Sequence, residues 1–370
     1  MSVMALNRPS ILGPTVPGVV LLLVGIFGGL NAAWGYGLFL VSGLLLLASL
    51  LFFCVFVFSR RFDSNSLKWS FTWLFILGAW CYVYSICALG GYFIYETLQG
   101  RMEFKWILFG PVALAALVIL DVGIYRIVVG KNLPTYQRYR QFVSREQSDP
   151  TAMRRTLVDD VIVQKALLSV SGVRWLRHTL IFWGFILMFL TEMLAVFFRE
   201  AVPAFGFADI WEMPGHSLRL AFNFAFDFFG LMVLIGSVMA LVWRAAVNGT
   251  EEQKYSDTPT VLFLFFVVLS GFLVEAIRIA ASPYDPSVNS EFVGYAMALV
   301  LPSSQTFFAA TYEPLWLIHV LGSCLFIAYV PVKRLIHSCA TPMGRLMNSQ
   351  KALLAAKKHG VISGLMTRRS

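Results

Sequence analysis

The stretch Leu315–His337, LWLIHVLGSCLFIAYVPVKRLIH, places His319 and His337 eighteen residues apart in an otherwise apolar run. Eighteen residues make five turns of an α-helix, so both imidazoles project from one face, about 27 Å apart. The hydrocarbon core of a bilayer is about 30 Å thick, so such a helix carries one imidazole near each membrane surface. Pro331 lies between the two and makes their shared face approximate. The simplest chemical use for the pair is to hold one haem near each surface.

The rest of the chain has the composition to surround that helix with others. Of its 370 residues, 58% are hydrophobic and 13% charged, against the roughly 25% charge of a soluble domain. This excludes an ordinary soluble domain and implies an all-α, polytopic membrane bundle in a lipid bilayer. Apolar runs predict about eight transmembrane helices, at 15–31, 36–58, 69–95, 104–129, 175–198, 217–243, 258–280 and 314–337. The first two read as a tight hairpin turning within GGLNAAWGYG, and the first is short enough to be re-entrant. The N-terminal MSVMALNRPS lacks the order of a cleavable signal, so the first span reads as retained.

Charge sets the topology. From Gly130 to Arg177 nine basic residues stand against four acids, and such an excess beside spans marks the cytoplasmic side. Arg60, Arg61 and Lys68, and Lys333 with Arg334, fall on that same side, while the loops at 199–215 and 282–305 are richer in acids. Both termini are then cytoplasmic, in the inner membrane. The formal charge of +9 is a topology signal and not a nucleic-acid footprint. Within the basic loop, LVDDVIVQKALLSV (157–170) has helical apolar spacing and predicts a surface helix that covers helix ends or docks a cytoplasmic partner.

Five histidines are present, and His359 lies in the polar tail. The topology sorts the other four into an inner pair, His178 with His337, and an outer pair, His216 with His319. Each pair can ligate one haem iron through ring nitrogens, and two axial histidines leave no open position for oxygen chemistry. For His178 and His216 a place among headgroups or a loop hydrogen bond is the alternative use. The five cysteines form neither CxxC nor CxxCH, so covalent c-type haem and a protein-held iron-sulfur cluster are unsupported.

The segment Leu315–Gln350, LWLIHVLGSCLFIAYVPVKRLIHSCATPMGRLMNSQ, closely resembles the last helix of the respiratory nitrate reductase gamma subunit family of membrane b-type cytochromes. RWLRHTLIFWGFILMFLTEML (174–194) resembles that family's second helix. The resemblance implies a five-helix dihaem cytochrome b core, with His319 and His337 as axial ligands to two haems and His178 as the inner partner. Where the family carries a further histidine ten residues on, this chain has Met188. The outer haem then takes His216 or Met188 as its second ligand, or is absent. The phrase RHTLIFWGF is more similar to the branch found with heterodisulfide-reductase-type iron-sulfur proteins.

That resemblance divides the chain into an N-terminal three-helix extension (1–100), a haem domain (101–345) and a basic cytoplasmic tail (346–370). It implies an electron-transfer subunit of an oxidoreductase complex, carrying two b haems or at least one. Its partners would be a cytoplasmic iron-sulfur subunit and either a periplasmic multihaem cytochrome c or quinone, with menaquinone the candidate. A proton-coupled transporter and a haem-free membrane anchor are the rival readings. Buried charges bear on that choice. Asp227 sits mid-span within FNFAFDFFGLMVLIG, Glu192 lies in a neighbouring span, and Glu275 with Arg278 has the spacing of an ion pair on one helix. Asp227 can relay protons, contact a quinol or hydrogen-bond a neighbouring helix. Arg219 and Arg278 are candidates for binding haem propionates, and Asp121 for pairing with Arg126.

Overall fold

The computed structural model describes residues 12–58, 64–129, 154–213, 215–246, 258–281, 286–301 and 305–331. The regular elements among them are all helical. The principal ones are α1 (Leu12–Ile26), α2 (Ala32–Phe58), α3 (Ser64–Leu98), α4 (Phe104–Val129), α5 (Gly172–Val196), α6 (Ser217–Ala246), α7 (Thr258–Ala281), α8 (Phe292–Ala298) and α9 (Gln305–Tyr329). Seven helices, α2 to α7 and α9, are long and apolar enough to cross a membrane. The chain is a multi-pass, all-α membrane protein.

α1 is shorter than the expected span, 15 residues or about 22 Å. It stops because Gly28 turns the chain at φ +77°. The Gly29 N–H donates to the Val24 carbonyl and the Gly28 N–H to the Gly25 carbonyl, which closes the helix end in a glycine-dependent cap. The last span differs the other way. α9 begins at Gln305 and carries Pro314 inside it, whereas the proline suggested a start. A proline removes one backbone hydrogen bond, a loss that membrane helices absorb by local adjustment. The segment 157–170 is also not one helix. A π-helical turn at Leu157–Ile162 and a short helix at Lys165–Leu168 are separated by Gln164, which has φ +54°.

The chain packs as two compact units, one of residues 1–95, 120–166 and 331–370, the other of residues 96–119 and 167–330. In the first, α1 meets α3 backbone to backbone, and a Cβ on Gly25 would stand 2.8 Å from the Gly91 Cα. α2 is fixed to α3 by the Ser42 hydroxyl donating to the Gly78 carbonyl (2.8 Å) and the Ser49 hydroxyl to that of Phe71 (2.7 Å). Small residues and interhelical hydroxyl bonds of this kind hold helices together where lipid supplies no hydrophobic drive.

In the second unit α5, α6, α7 and α9 make the bundle that positions the candidate site. Gly184 seats against Val233, and Gly236 against Ile181, with 2.9 and 2.8 Å at a hypothetical Cβ. That brings α5 and α6 close. Gly230 does the same for Phe272 between α6 and α7. Phe326 of α9 packs edge-on against both Phe263 of α7 (5.3 Å) and Phe185 of α5 (5.9 Å).

Candidate functional site

His319 is the best-defined of the expected site residues. Its Nδ1 lies 3.0 Å from the Ser270 Oγ on α7, and the Ser270 hydroxyl donates to the Val267 carbonyl at 2.8 Å. The ring rests against Gly271, where a Cβ would come within 3.0 Å of Cε1 and 3.5 Å of Nε2. On α9 itself, the Ser323 hydroxyl donates to the His319 carbonyl at 2.9 Å.

His178 sits near the start of α5 and stacks on Phe182 with centroids 5.9 Å apart and planes at 16°. The Phe185–Phe326 contact sets the level of the two helices. His178 lies seven residues from Phe185 toward the α5 start, and His319 seven residues from Phe326 toward the α9 start. The two imidazoles therefore fall on opposite sides of that contact, each about 10 Å from it along the axis. Met188, on the same face of α5 as the buried Gly184 and Thr191, lies about 4.5 Å from the contact on the His319 side. His337 and His359 lie outside the described residues.

His216 sits just ahead of α6. The Asp227–Glu275 hydrogen bond levels α6 with α7. His216 is eleven residues beyond Asp227 in one direction, while Ser270 is five before Glu275 in the other. The offset is roughly 24 Å along the bundle at 1.5 Å per residue. The route through Phe326, Phe185 and the Gly184–Val233 seat gives about 13.5 Å between the levels of His216 and His319. His216 uses its Nδ1 to accept the Leu218 N–H at 3.3 Å, as the N-cap of α6.

A buried ionic network lies between α6, α7 and α8. Asp227, 1% exposed, accepts the Val293 N–H at 2.6 Å and shares a hydrogen bond with Glu275. Arg278 is ion-paired with Glu291, whose Oε1 also accepts from Asn223 Nδ2 at 2.6 Å. The expected Glu275–Arg278 pair is thus replaced by two tertiary pairs, because Glu291 reaches Arg278 from the segment after α7. Arg219 donates to the Trp211 carbonyl at 2.9 Å.

Glu291 lies outside the spans, and burial pushes its carboxyl above the usual range, with Arg278 opposing. No sequence pattern singled it out. The Asp121–Arg126 pairing involves a side chain, that of Arg126, outside the described set. Among the described residues, no three His, Cys, Asp or Glu side chains come together as a metal-binding group.

The nitrate reductase gamma subunit family matches residues 163–354, a segment that takes in α5 to α9. One component of the dihydromethanophenazine:CoB–CoM heterodisulfide reductase of Methanosarcina thermophila is 30% identical over 199 residues, covering 52% of this chain and 65% of that protein. Its counterpart in Methanosarcina barkeri is 29% identical over 206 residues, with the same coverage. The EtfAB:quinone oxidoreductase of Syntrophomonas wolfei is 23% identical over 267 residues, which are 68% of this chain and 35% of that protein. The chain thus spans just under two thirds of the first relatives and about a third of the last. No solved structure matches it.

Proposed function

The chain belongs to the nitrate reductase gamma subunit family, and from that premise we propose that it is the membrane cytochrome b subunit of a respiratory electron-transfer complex. The observation that carries this is the placement of His178 and His319 on opposite sides of the Phe185–Phe326 contact, each inside a span. Both lie on helices of one four-helix bundle. The residues suit haem b: neutral imidazole is its common axial donor, and His319 has its Nδ1 engaged at Ser270 and Nε2 left to coordinate. When bound, haem supplies a one-electron couple.

In this reading His178 and His337 hold the haem toward the cytoplasm and His319 holds the outer one. Its second donor is His216 or Met188, the latter nearer by helix count to the level of His319. The bundle fixes the distance that electrons cross. Two kinds of relative carry a redox carrier in their names, dihydromethanophenazine in one and quinone in the other. That supports electron exchange with quinone, menaquinone being the candidate, or with a periplasmic multihaem cytochrome c. A cytoplasmic iron-sulfur subunit takes the other end of the path, in the cytoplasmic membrane.

The buried Asp227–Glu275 pair favours one rival, proton-coupled transport. An absorption spectrum of the purified protein decides between them. Two b-type haems are expected, one lost in His178→Ala and the other in His319→Ala; loss of the outer haem in His216→Ala marks His216 as its second ligand, and retention of both there marks Met188. A wild-type protein without b-type haem overturns the reading. Reduction of the haem by a menaquinol analogue then separates the quinone path from direct cytochrome contact.

A further inference from the structure

We propose that Ser270 is a positioning residue for His319: its hydroxyl fixes the imidazole in the tautomer that leaves Nε2 free to coordinate, while Gly271 keeps the α7 face open to the ring. The inference rests on the haem reading above and adds a residue to it. Its basis is a count of protons. The Ser270 hydroxyl carries one proton, and that proton goes to the Val267 carbonyl at 2.8 Å, which can only accept. With its proton so placed, the Ser270 oxygen accepts toward His319, and the contact at 3.0 Å is a donation from Nδ1–H, beside the hydrogen bond that His319 makes with the Val267 backbone. A neutral imidazole with its proton on Nδ1 has its lone pair on Nε2.

The surroundings fix the ring as well as the proton. Gly271 follows Ser270 in α7, and a Cβ there would stand 3.0 Å from Cε1, so any larger residue displaces the imidazole. One turn along α9, the Ser323 hydroxyl holds the His319 carbonyl. His216 makes the contrast within the same unit. Its Nδ1 accepts the Leu218 N–H, which puts its proton on Nε2, the opposite tautomer.

A serine that merely satisfies a buried histidine and one that positions a ligand differ in what they do to the metal. Donation from Nδ1–H to an acceptor makes the imidazole a stronger donor through Nε2 and favours the ferric state. Ser270→Ala should then move one haem's midpoint potential in the positive direction and shift its low-spin ferric EPR signal. The second haem should be untouched. Retention of the affected haem should weaken by about 10- to 100-fold.

The experiment is a spectroelectrochemical titration with EPR on the purified haem-loaded protein as wild type, Ser270→Ala and Ser270→Thr. Threonine keeps the hydroxyl and should restore both the potential and the signal. Wild-type potentials and an unchanged EPR signal in Ser270→Ala overturn the inference. So does equal loss of haem in both variants, which would mark a packing role. A wild-type protein lacking b-type haem takes down the functional reading itself, and is told apart from the other outcomes by its spectrum alone.

Discussion

Between α1, α2 and α3 the interhelical contacts include hydroxyls turned onto backbone carbonyls, Ser42 to Gly78 and Ser49 to Phe71, beside the glycine contact of Gly25 with Gly91. Between α6, α7 and α8 the contacts are ionic: Asp227 with Glu275, Arg278 with Glu291, and Asn223 joining them. Both are ways to hold helices together in an apolar surround, but they differ greatly in cost. A serine satisfied by a carbonyl gives up little on leaving water, whereas a carboxylate in a span gives up several kcal/mol. Among the described contacts of α1, α2 and α3, hydroxyls and small residues suffice. The costlier network in the second region lies in the same four-helix unit as His178 and His319.

The largest effect expected from this contrast is at Arg278. Arg278→Ala leaves Glu291, 4% exposed, without its ion-pair partner. Removing one member of a buried pair costs about 3–5 kcal/mol, and the low end applies because the Arg278 side chain is 31% exposed. The detergent-solubilised protein should lose much of its thermal stability together with its haem. A melting temperature within the error of wild type would mean that the network does not hold this end of the bundle.

Gly91 provides the matching test in the other region. A Cβ there would run into the Leu22 carbonyl of α1, and overpacking of this kind costs about 1–3 kcal/mol. Gly91→Ala should lower the melting temperature while leaving the haem spectrum and both midpoint potentials unchanged. A changed spectrum would break the division between a packing region and a redox region.

Long apolar runs were legible in the sequence because bilayer thickness leaves few alternatives. The spans expected at 104–129, 217–243 and 258–280 are found at Phe104–Val129, Ser217–Ala246 and Thr258–Ala281. The misses occur where one residue's local signal was overruled. Pro314 read as a helix start and lies inside α9, and the 157–170 periodicity is interrupted by Gln164 in a left-handed conformation. At the candidate site the residue types were visible and their registry was not. Glu275 and Arg278 have the spacing of a helical pair, yet each bonds to a residue elsewhere in the chain. Ser270 and Glu291 drew no notice because their roles arise only when α7 meets α9 and when the segment after α7 folds back.

Glu291 gives the smallest effect, and the one whose sign is easiest to work out. Burial raises its carboxyl pKa in the folded protein, with Arg278 pulling the other way and the net direction upward. An unfolded glutamate titrates near 4.3. Between that value and the raised folded one, the folded state binds more protons than the unfolded state, so stability falls as pH rises through the window. The contribution is complete below the unfolded value and lost once pH passes the folded one. Asp227, Glu275, Arg278 and Arg219 share the network and titrate or carry charge with it, so the contribution of Glu291 is read as a difference between variants. Glu291→Gln should flatten the dependence of melting temperature on pH above about 4.3. Ser49→Ala, in the hydroxyl-bonded region, should cost about 1 kcal/mol and leave that slope as it is in wild type. If Ser49→Ala flattens the slope as Glu291→Gln does, the titration belongs to the bundle as a whole and the ionic region loses its separate standing.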